Sequence, residues 1–307
     1  MRVAFFGTPD FAVPSLRALV GEGFEVCAVV TQPDRAQGRS RSTLVPPPVK
    51  VAALAEGLTV LQPESPDDGA FLVRLRGEAP DVGVVVAYGH ILEPELLELP
   101  RRGMVNVHPS LLPELRGAAP IQWTILNGLP RTGITIMLMD AGLDTGPILH
   151  QIAHEVPAEV TGGELTTHLA ELGAQALVEG LTLWEQGAIT PKPQDDARAT
   201  SAPKITRETA RLDWSRPADR LVRAIRALDP KPGAWCALDD LELKLFTARV
   251  TDGHGAAGVV LRANGSLLIA AGQGAVEVFE VQPAGKARMT TDDWQRGRGV
   301  EVGRRFT

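Results

Sequence analysis

Over residues 1–187 the apolar positions fall into short, β-branched runs separated by longer stretches in which they recur at helical spacing. The runs lie at 3–6, 26–30, 82–87, 104–107 and 134–139, each bounded by Gly, Pro or Asp. Continuous rather than alternating apolar runs mark strands buried on both faces, the habit of parallel sheets. Between them, Phe11, Leu16, Leu19 and Val20 predict a helix after the first strand. Leu165, Leu169, Leu172, Ala176 and Leu183 predict a long helix over 163–186. Strand–helix alternation of this kind predicts an open α/β sheet with right-handed crossovers.

The pattern changes at 188–206, AITPKPQDDARATSAPKIT, where Pro, Ala, Thr and charged residues dominate without periodicity. That composition suits an extended linker. A short helix is predicted over 217–228. Strand-like runs at 241–250, 258–262, 266–271 and 275–281, separated by Gly and Asn, then predict a small β-barrel. The expected organisation is a first domain over 1–187, a linker over 188–206 and a second domain over 207–307.

Charge sharpens this division. Residues 1–206 hold 15 Lys+Arg against 24 Asp+Glu, a net of −9, and residues 207–307 hold 16 against 13, a net of +3. A basic second part beside an acidic first part fits a polyanionic partner near the second part, and chance variation fits as well. The two cysteines, Cys27 and Cys236, give neither a disulfide framework nor metal-cluster spacing, and suit a reducing cytoplasm. No stretch approaches the roughly 18 apolar residues of a membrane span, so no membrane partner is expected. The opening MRVAFFGTPD has too short an apolar run for a secretory signal and reads as a first buried strand. His150 and His154 stand in an extended stretch with no third ligand at suitable spacing, so no metal is expected. The turn after the first strand reads GTPDFA, without the G-x-G-x-x-G spacing that pyrophosphate approach needs, which sets a dinucleotide dehydrogenase aside.

The stretch richest in chemistry is 104–117, MVNVHPSLLPELRG. Asn106 and His108 are two apart and share one face of a strand. At the carboxyl end of a buried parallel strand that face opens into the crevice where such sheets bind ligands. An amide donor beside an imidazole suits acyl transfer, in which a carbonyl oxygen gains charge and a proton moves. Taken alone, such a pair equally fits a polar cap on a loop. Next, prolines 109, 113 and 120 stiffen a loop whose backbone groups and two leucines can hold a flat aromatic ligand, or that simply joins a strand to a helix. Third, the run at 134–139 leads into a Gly-containing loop bearing Asp144. If its strand neighbours the 104–107 strand, the loop reaches the same crevice, where a carboxylate orients His108 and raises its pKa. By itself Asp144 also reads as an ordinary turn residue before Thr-Gly-Pro.

The segments GTPDFAVPSL at 7–16, TQPDRAQGR at 31–39, PPVKVAA at 47–53, AYGHIL at 87–92, NVHPSLLPELRGAAPIQW at 106–123 and GITIMLMDAGLDTGPIL at 133–149 together resemble the formyl-tetrahydrofolate-dependent transferases. The match continues through RLDWS at 211–215, AIRALDPKPGAW at 224–235 and QPAGKARM at 282–289, so it covers nearly the whole chain. The N-x-H, SLLP and Asp core is shared by the whole family, and the flanking segments resemble its tRNA branch. The resemblance implies an open, mostly parallel Rossmann-like sheet followed by an OB-like β-barrel that touches tRNA. It implies transfer of a formyl group from 10-formyltetrahydrofolate to the amino group of methionine on initiator methionyl-tRNA, by a cytoplasmic monomer. It implies a catalytic trio of Asn106, His108 and Asp144. It implies folate contacts from Ser110, Leu111, Leu112 and Pro113, with Tyr88, Gly89 and Ile91 helping to seat the pterin. It implies tRNA contacts from Arg35, Arg39, Arg41 and Lys50, with Lys286 and Arg288 as further candidates.

Three departures from the family pattern stand out. His90 replaces an apolar or amide residue, the 32–50 loop carries arginine where lysine is usual, and Glu114 and Leu115 receive no role. The same loop has no strong apolar anchor and is expected to be mobile when free; its scattered charges also fit a solvated surface. The expected chemistry has Asn106 and a protonated His108 stabilising the oxyanion, with Asp144 keeping His108 charged. The rivals are a sibling transferase acting on a glycinamide nucleotide or an amino sugar, a formyl-folate hydrolase, and a non-catalytic RNA-binding protein.

Overall fold

The structure, a computed structural model, describes residues 1–37, 43–239 and 241–307. These form two compact units. The first holds Met1–Ala118, Arg131–Glu155 and Thr166–Ala202, and the second Ala119–Pro130, Val156–Leu165 and Pro203–Thr307.

In the first unit the apolar runs become strands, as their composition dictates. They are β1 (Arg2–Gly7), followed by α1 (Val13–Gly21), β2 (Glu25–Val30), a β3–β4 pair (Arg35–Gln37 and Thr43–Val45), α2 (Pro48–Ala55), β5 (Val60–Leu61), α3 (Gly69–Gly77), β6 (Val82–Val86), α4 (Pro94–Leu97) and β7 (Met104–His108). After α5 (Pro120–Leu126), which belongs to the second unit, come β8 (Arg131–Leu138) and β9 (Ile148–Glu155). Helix α6 (Gly162–Glu185) follows, and from Thr166 onward it belongs to the first unit. The seven strands of the sheet run in the order β5-β2-β1-β6-β7-β8-β9. The pairs among β5, β2, β1, β6 and β7 are parallel, and β6 is buried at every position. Each fully buried Val, Leu or Phe side chain here contributes about 1.5–3 kcal/mol of transfer free energy.

Alternation along β7 decides where its polar residues point. A Cβ built on Gly173 of α6 would sit 3.1 Å from Val107, so the odd positions of β7 face that helix. Met104 packs instead with Phe71, Leu75 and Leu96, on the face that α3 and α4 cover. Asn106 and His108 share the side of Met104.

One expectation is corrected. Strand β8 neighbours β7 but runs antiparallel to it, with Val105 opposite Leu138 and His108 opposite Thr135. Its carboxyl end therefore lies beside the start of β7, away from His108. The 139–147 segment has to fold back along the sheet to bring Asp144 to the imidazole. The long helix appears where it was expected, and β9 is the extended stretch containing His150 and His154.

The second unit contains α7 (Ala218–Ala227), β10 (Ala234–Leu238), β11 (Leu241–Thr251), β12 (Val260–Asn264), β13 (Ser266–Ala270), β14 (Ala275–Pro283), β15 (Met289–Thr290) and α8 (Thr291–Gly297). Its antiparallel sheet has the order β10-β11-β14-β13-β12, with β15 on β14. Leu221, Val222 and Ile225 of α7 are buried, and the helix packs on α5 and β11. The start of α6 carries a capping box: Glu164 N–H donates to Thr161 Oγ1 at 3.2 Å, and Thr161 N–H donates to the Glu164 carboxylate at 2.9 Å. Strand β10 was not foreseen, because AWCAL is too short and too mixed to carry a period. Among the described residues no helix is long and apolar enough to cross a membrane.

Candidate functional site

The site is built at the carboxyl ends of the parallel strands. Strand β1 and β6 are where the chain order reverses, and ligand crevices form at such points. There the 87–89 turn is pinned from two sides, with Thr8 Oγ1 and Gln32 Nε2 both donating to the Tyr88 carbonyl at 2.9 Å. Gly89 has φ +88, and a Cβ there would lie 2.6 Å from Gln32 Nε2, so only glycine fits. The Tyr88 ring itself is core: it is 1% exposed and edge-on to Phe6. Burial pushes its phenol up to about 12. Any part Tyr88 has in seating a ligand therefore falls to its backbone, a revision of the expectation that named it with Gly89 and Ile91. Ile91 is highly exposed.

His108 lies at the end of β7 and is 3% exposed. Its Nε2 is 3.0 Å from the Leu115 carbonyl, which only accepts, so Nε2 carries the ring proton. Nδ1 is thereby left as the free nitrogen, 3.7 Å from Asp144 Oδ2. That gap is too long for a direct hydrogen bond and keeps the carboxylate within ion-pair distance of the ring. Asp144 sits at φ +54, and its Oδ2 accepts from the Gly117 N–H at 2.8 Å. Asn106 is half-buried on the same face of β7. Among the described residues nothing hydrogen-bonds its carboxamide. The structure thus brings Asn106, His108 and Asp144 together.

The charge state of His108 differs from the sequence expectation. Burial holds its pKa below the ordinary value of 6.5; Asp144 and the Leu115 carbonyl pull upward without overcoming it. The imidazole is neutral at neutral pH in the free protein, so the expected protonated His108 is corrected. Asp144 was expected to set the charge, but desolvation of the buried ring is the larger effect.

The loop after β7 is held from β8 and β9. Thr135 Oγ1 donates to the Ser110 carbonyl at 2.7 Å and accepts from the Leu112 N–H at 3.0 Å. Gln151 Nε2 donates to the Leu112 carbonyl at 3.0 Å. The Ser110 hydroxyl donates to the Glu114 carbonyl at 2.6 Å. Leu112 and Pro113 are buried and Leu111 is half-buried. Sequence reasoning gave no role to Leu115, Gly117, Thr135 or Gln151. Leu115 and Gly117 act through their backbone groups, which no side-chain pattern reveals.

The candidate polyanion contacts are divided between the two units. Arg35 lies on β3 with its guanidinium on Gln32 Oε1, and Lys50, at the start of α2, pairs with Asp34 at 2.8 Å. Arg39 and Arg41 lie outside the described residues. Lys286 is exposed. Arg288 is held by Asp229 at 2.8 Å and Glu280 at 2.6 Å, and stacks 4.2 Å from the Phe246 ring centroid. Its hydrogen bond keeps the Glu280 carboxyl below the usual carboxylate range. Arg288 thus clasps strands of the second unit, a revision of its expected place on a nucleic acid. Arg288→Ala should cost about 1–3 kcal/mol of stability, because the Asp229 carboxylate, 10% exposed, loses its partner. Thermal unfolding of the variant checks this, and an unchanged midpoint would return Arg288 to the nucleic-acid candidates. Among the described residues no group of three or more His, Cys, Asp or Glu side chains is placed to hold a metal ion.

The formyl transferase model matches residues 1–181, and the formyl transferase C-terminal domain model matches residues 204–299. A methionyl-tRNA formyltransferase of Citrifermentans bemidjiense is 42% identical over 304 residues, covering 99% of this chain and 95% of that one. One from Chloroflexus aurantiacus is 45% identical over 301 residues, covering 97% of each. Among solved structures, HypX from Aquifex aeolicus in complex with tetrahydrofolic acid superposes with a TM-score of 0.67 at 18% identity, over 96% of this chain and 47% of that one, a likeness of fold.

Proposed function

Because the chain belongs to the formyl transferase family, we propose that it transfers the formyl group of 10-formyltetrahydrofolate to the amino group of methionine on initiator methionyl-tRNA. The observation that carries this reading is the buried His108, its Nδ1 turned toward the Asp144 carboxylate and Asn106 beside it on one strand face.

An α-amino group titrates at about 7.7–8.0 and a neighbouring ester lowers it further, so much of the acceptor is already neutral. What remains is to stabilise the tetrahedral oxyanion and to carry one proton from the acceptor nitrogen to N10 of the donor. Asn106 donates to the formyl oxygen as its charge grows. His108 Nδ1 takes the proton from the attacking amine, and Asp144 stabilises the imidazolium that results. The same proton passes to N10 as the formyl–N10 bond breaks, which returns His108 to its neutral state. One C–N bond forms, one breaks, and no redox partner is needed.

The 110–113 loop, with Ser110, Leu111, Leu112 and Pro113, seats the pterin together with Gly89, Ile91 and the Tyr88 backbone. Arg35, Arg39, Arg41, Lys50 and Lys286 meet tRNA phosphates. The antiparallel sheet of the second unit is an OB-like barrel, and the enzyme works as a cytoplasmic monomer without a metal.

The deciding experiment gives purified protein the formyl donor with charged initiator tRNA, charged elongator tRNA or no acceptor. Formyl-methionine should accumulate on the initiator species alone. Formate release without an acceptor would make the protein a hydrolase, and formylation of an amino sugar or a glycinamide nucleotide in its place would make it a sibling transferase.

A further inference from the structure

The segment 192–202, whose composition reads as linker, is bonded into the first unit as a strap with one short 3₁₀ turn at Asp196–Arg198. Lys192 exchanges two backbone hydrogen bonds with Ile148, each 2.8 Å. Further along, Arg116 N–H donates to the Thr200 carbonyl at 2.9 Å and Ala202 N–H donates to the Arg116 carbonyl at 2.7 Å. Leu115 N–H donates to Thr200 Oγ1 at 2.8 Å. The approach is close enough that a Cβ on Gly117, at φ +124, would stand 2.7 Å from the Ala202 carbonyl oxygen. The strap thus grips the backbone on both sides of the Leu115 carbonyl that fixes the His108 ring.

Gln194 is the residue through which the strap reaches the other partner of His108. Its Nε2 donates to the Asp144 carbonyl and to the Gly146 carbonyl, both at 2.8 Å, spanning Thr145. Its Oε1 accepts from Arg116 Nε at 3.1 Å and Nη2 at 2.8 Å. Both amide hydrogens and the amide oxygen are used, and the partners fix which end is which, since carbonyls only accept and a guanidinium only donates. Arg116 is steadied in turn by Asp196 at 2.7 Å. A ring of contacts closes on Asp144: Gly117 N–H holds its carboxylate, the neighbouring Arg116 holds Gln194, and Gln194 holds its backbone. A non-glycine residue at φ +54 stores strain and keeps that conformation only where its surroundings impose it.

We infer that Gln194 is a positioning residue for formyl transfer: its carboxamide fixes the turn that carries Asp144 and so sets the Asp144 carboxylate against His108. The inference rests on the transfer reaction above for its kinetic consequence, but its structural consequence stands without it. Gln194 touches no reacting atom and acts through Asp144. Among the described residues, Asp144 is the charged group set against the His108 ring, and the Leu115 carbonyl is its other polar partner.

The test compares Gln194→Ala and Gln194→Glu in the full-length protein. Glutamate keeps the size and the bond to Arg116 but turns an oxygen toward two carbonyl oxygens. It therefore separates a donor to the Asp144 turn from a mere anchor for Arg116. Both variants should lower kcat about tenfold to a hundredfold, the cost of a displaced catalytic group, with KM for the donor little changed. In Gln194→Ala the His108 ring should titrate at lower pH than in the unaltered protein as Asp144 moves away, whereas Gln194→Glu, which brings a carboxylate of its own, is read by kcat. The ring is followed by its proton resonance, assigned with His108→Gln. In an Asp144→Asn background, Gln194→Ala should add little, because the carboxylate it places is gone. An unmoved His108 titration, a Gln194→Glu variant with full kcat, or effects of Gln194→Ala and Asp144→Asn that multiply would each overturn the inference. If the unaltered protein transfers no formyl group to methionyl-tRNA, the reaction proposed above falls, and the titration alone then decides the role of Gln194.

Discussion

Asp144→Asn should lower kcat for formyl transfer by roughly 10²–10⁴, the range that positioned acid–base help supplies. Asparagine fills the same volume and can still accept from the Gly117 N–H, so the turn should hold and the loss should report charge. The charge matters because Asp144 Oδ2 stands 3.7 Å from Nδ1, the nitrogen that gains a proton in the proposed reaction. A second signature follows from the sign of each effect on His108. Burial lowers its pKa below 6.5 and Asp144 raises it. Removing the carboxylate leaves burial unopposed, so the pKa falls further. His108 has to be neutral to accept the proton, hence the acid limb of the kcat/KM profile, which reports the free enzyme, lies below pH 6.5 and should move to still lower pH in the variant while the plateau drops. A limb displaced toward higher pH would show that Asp144 does not act on His108. The same depressed pKa bears on stability: the contribution of a neutral, buried His108 is complete above about pH 6.5 and is lost as pH falls below it toward the folded-state value.

Asn106→Ala should cost roughly 10²–10³ in the single-turnover rate, the usual effect of deleting one oxyanion donor. Asn106 is half-buried on β7, where a polar side chain without partners is costly unless it meets a ligand or water. Its share of a face with His108 puts an amide donor next to the nitrogen that moves the proton. Donor affinity should change little, because the ground-state formyl oxygen carries far less charge than the intermediate. Asn106→Asp keeps the shape and places an anion where negative charge develops, so it should be at least as slow. A variant with a raised KM and an unaltered single-turnover rate would show that Asn106 binds substrate equally in ground and transition states, and its assignment to the oxyanion would fail.

Much of the first unit was legible in the chain. The apolar runs became β1, β2, β6 and β7, because a strand buried on both faces requires apolar side chains at successive positions. The helical spacing from Leu165 to Leu183 became α6 for the same kind of local reason. The direction of β8 was not legible, since an apolar run reads the same whichever way its neighbour points. The β3–β4 pair also escaped notice, its three-residue strands being too short for any period. The aperiodic composition of the 188–206 stretch was legible. Its attachment was not, because hydrogen bonds such as Arg116 to Gln194 join residues 78 positions apart.

The chain alone singled out the residues proposed to carry the chemistry. Asn106 and His108 lie on one strand, where a spacing of two places them on one face, and the flanking motifs bring Asp144 into the same family pattern. Local spacing and residue type suffice for that. Only the tertiary structure decided how those residues behave. It lowered the pKa of His108 by enclosing it, turned the 139–147 segment back along an antiparallel β8, and tied Asp144 to Arg116 through Gln194. Desolvation and long-range hydrogen bonds depend on atoms that folding brings from distant parts of the chain, and no window of sequence contains them.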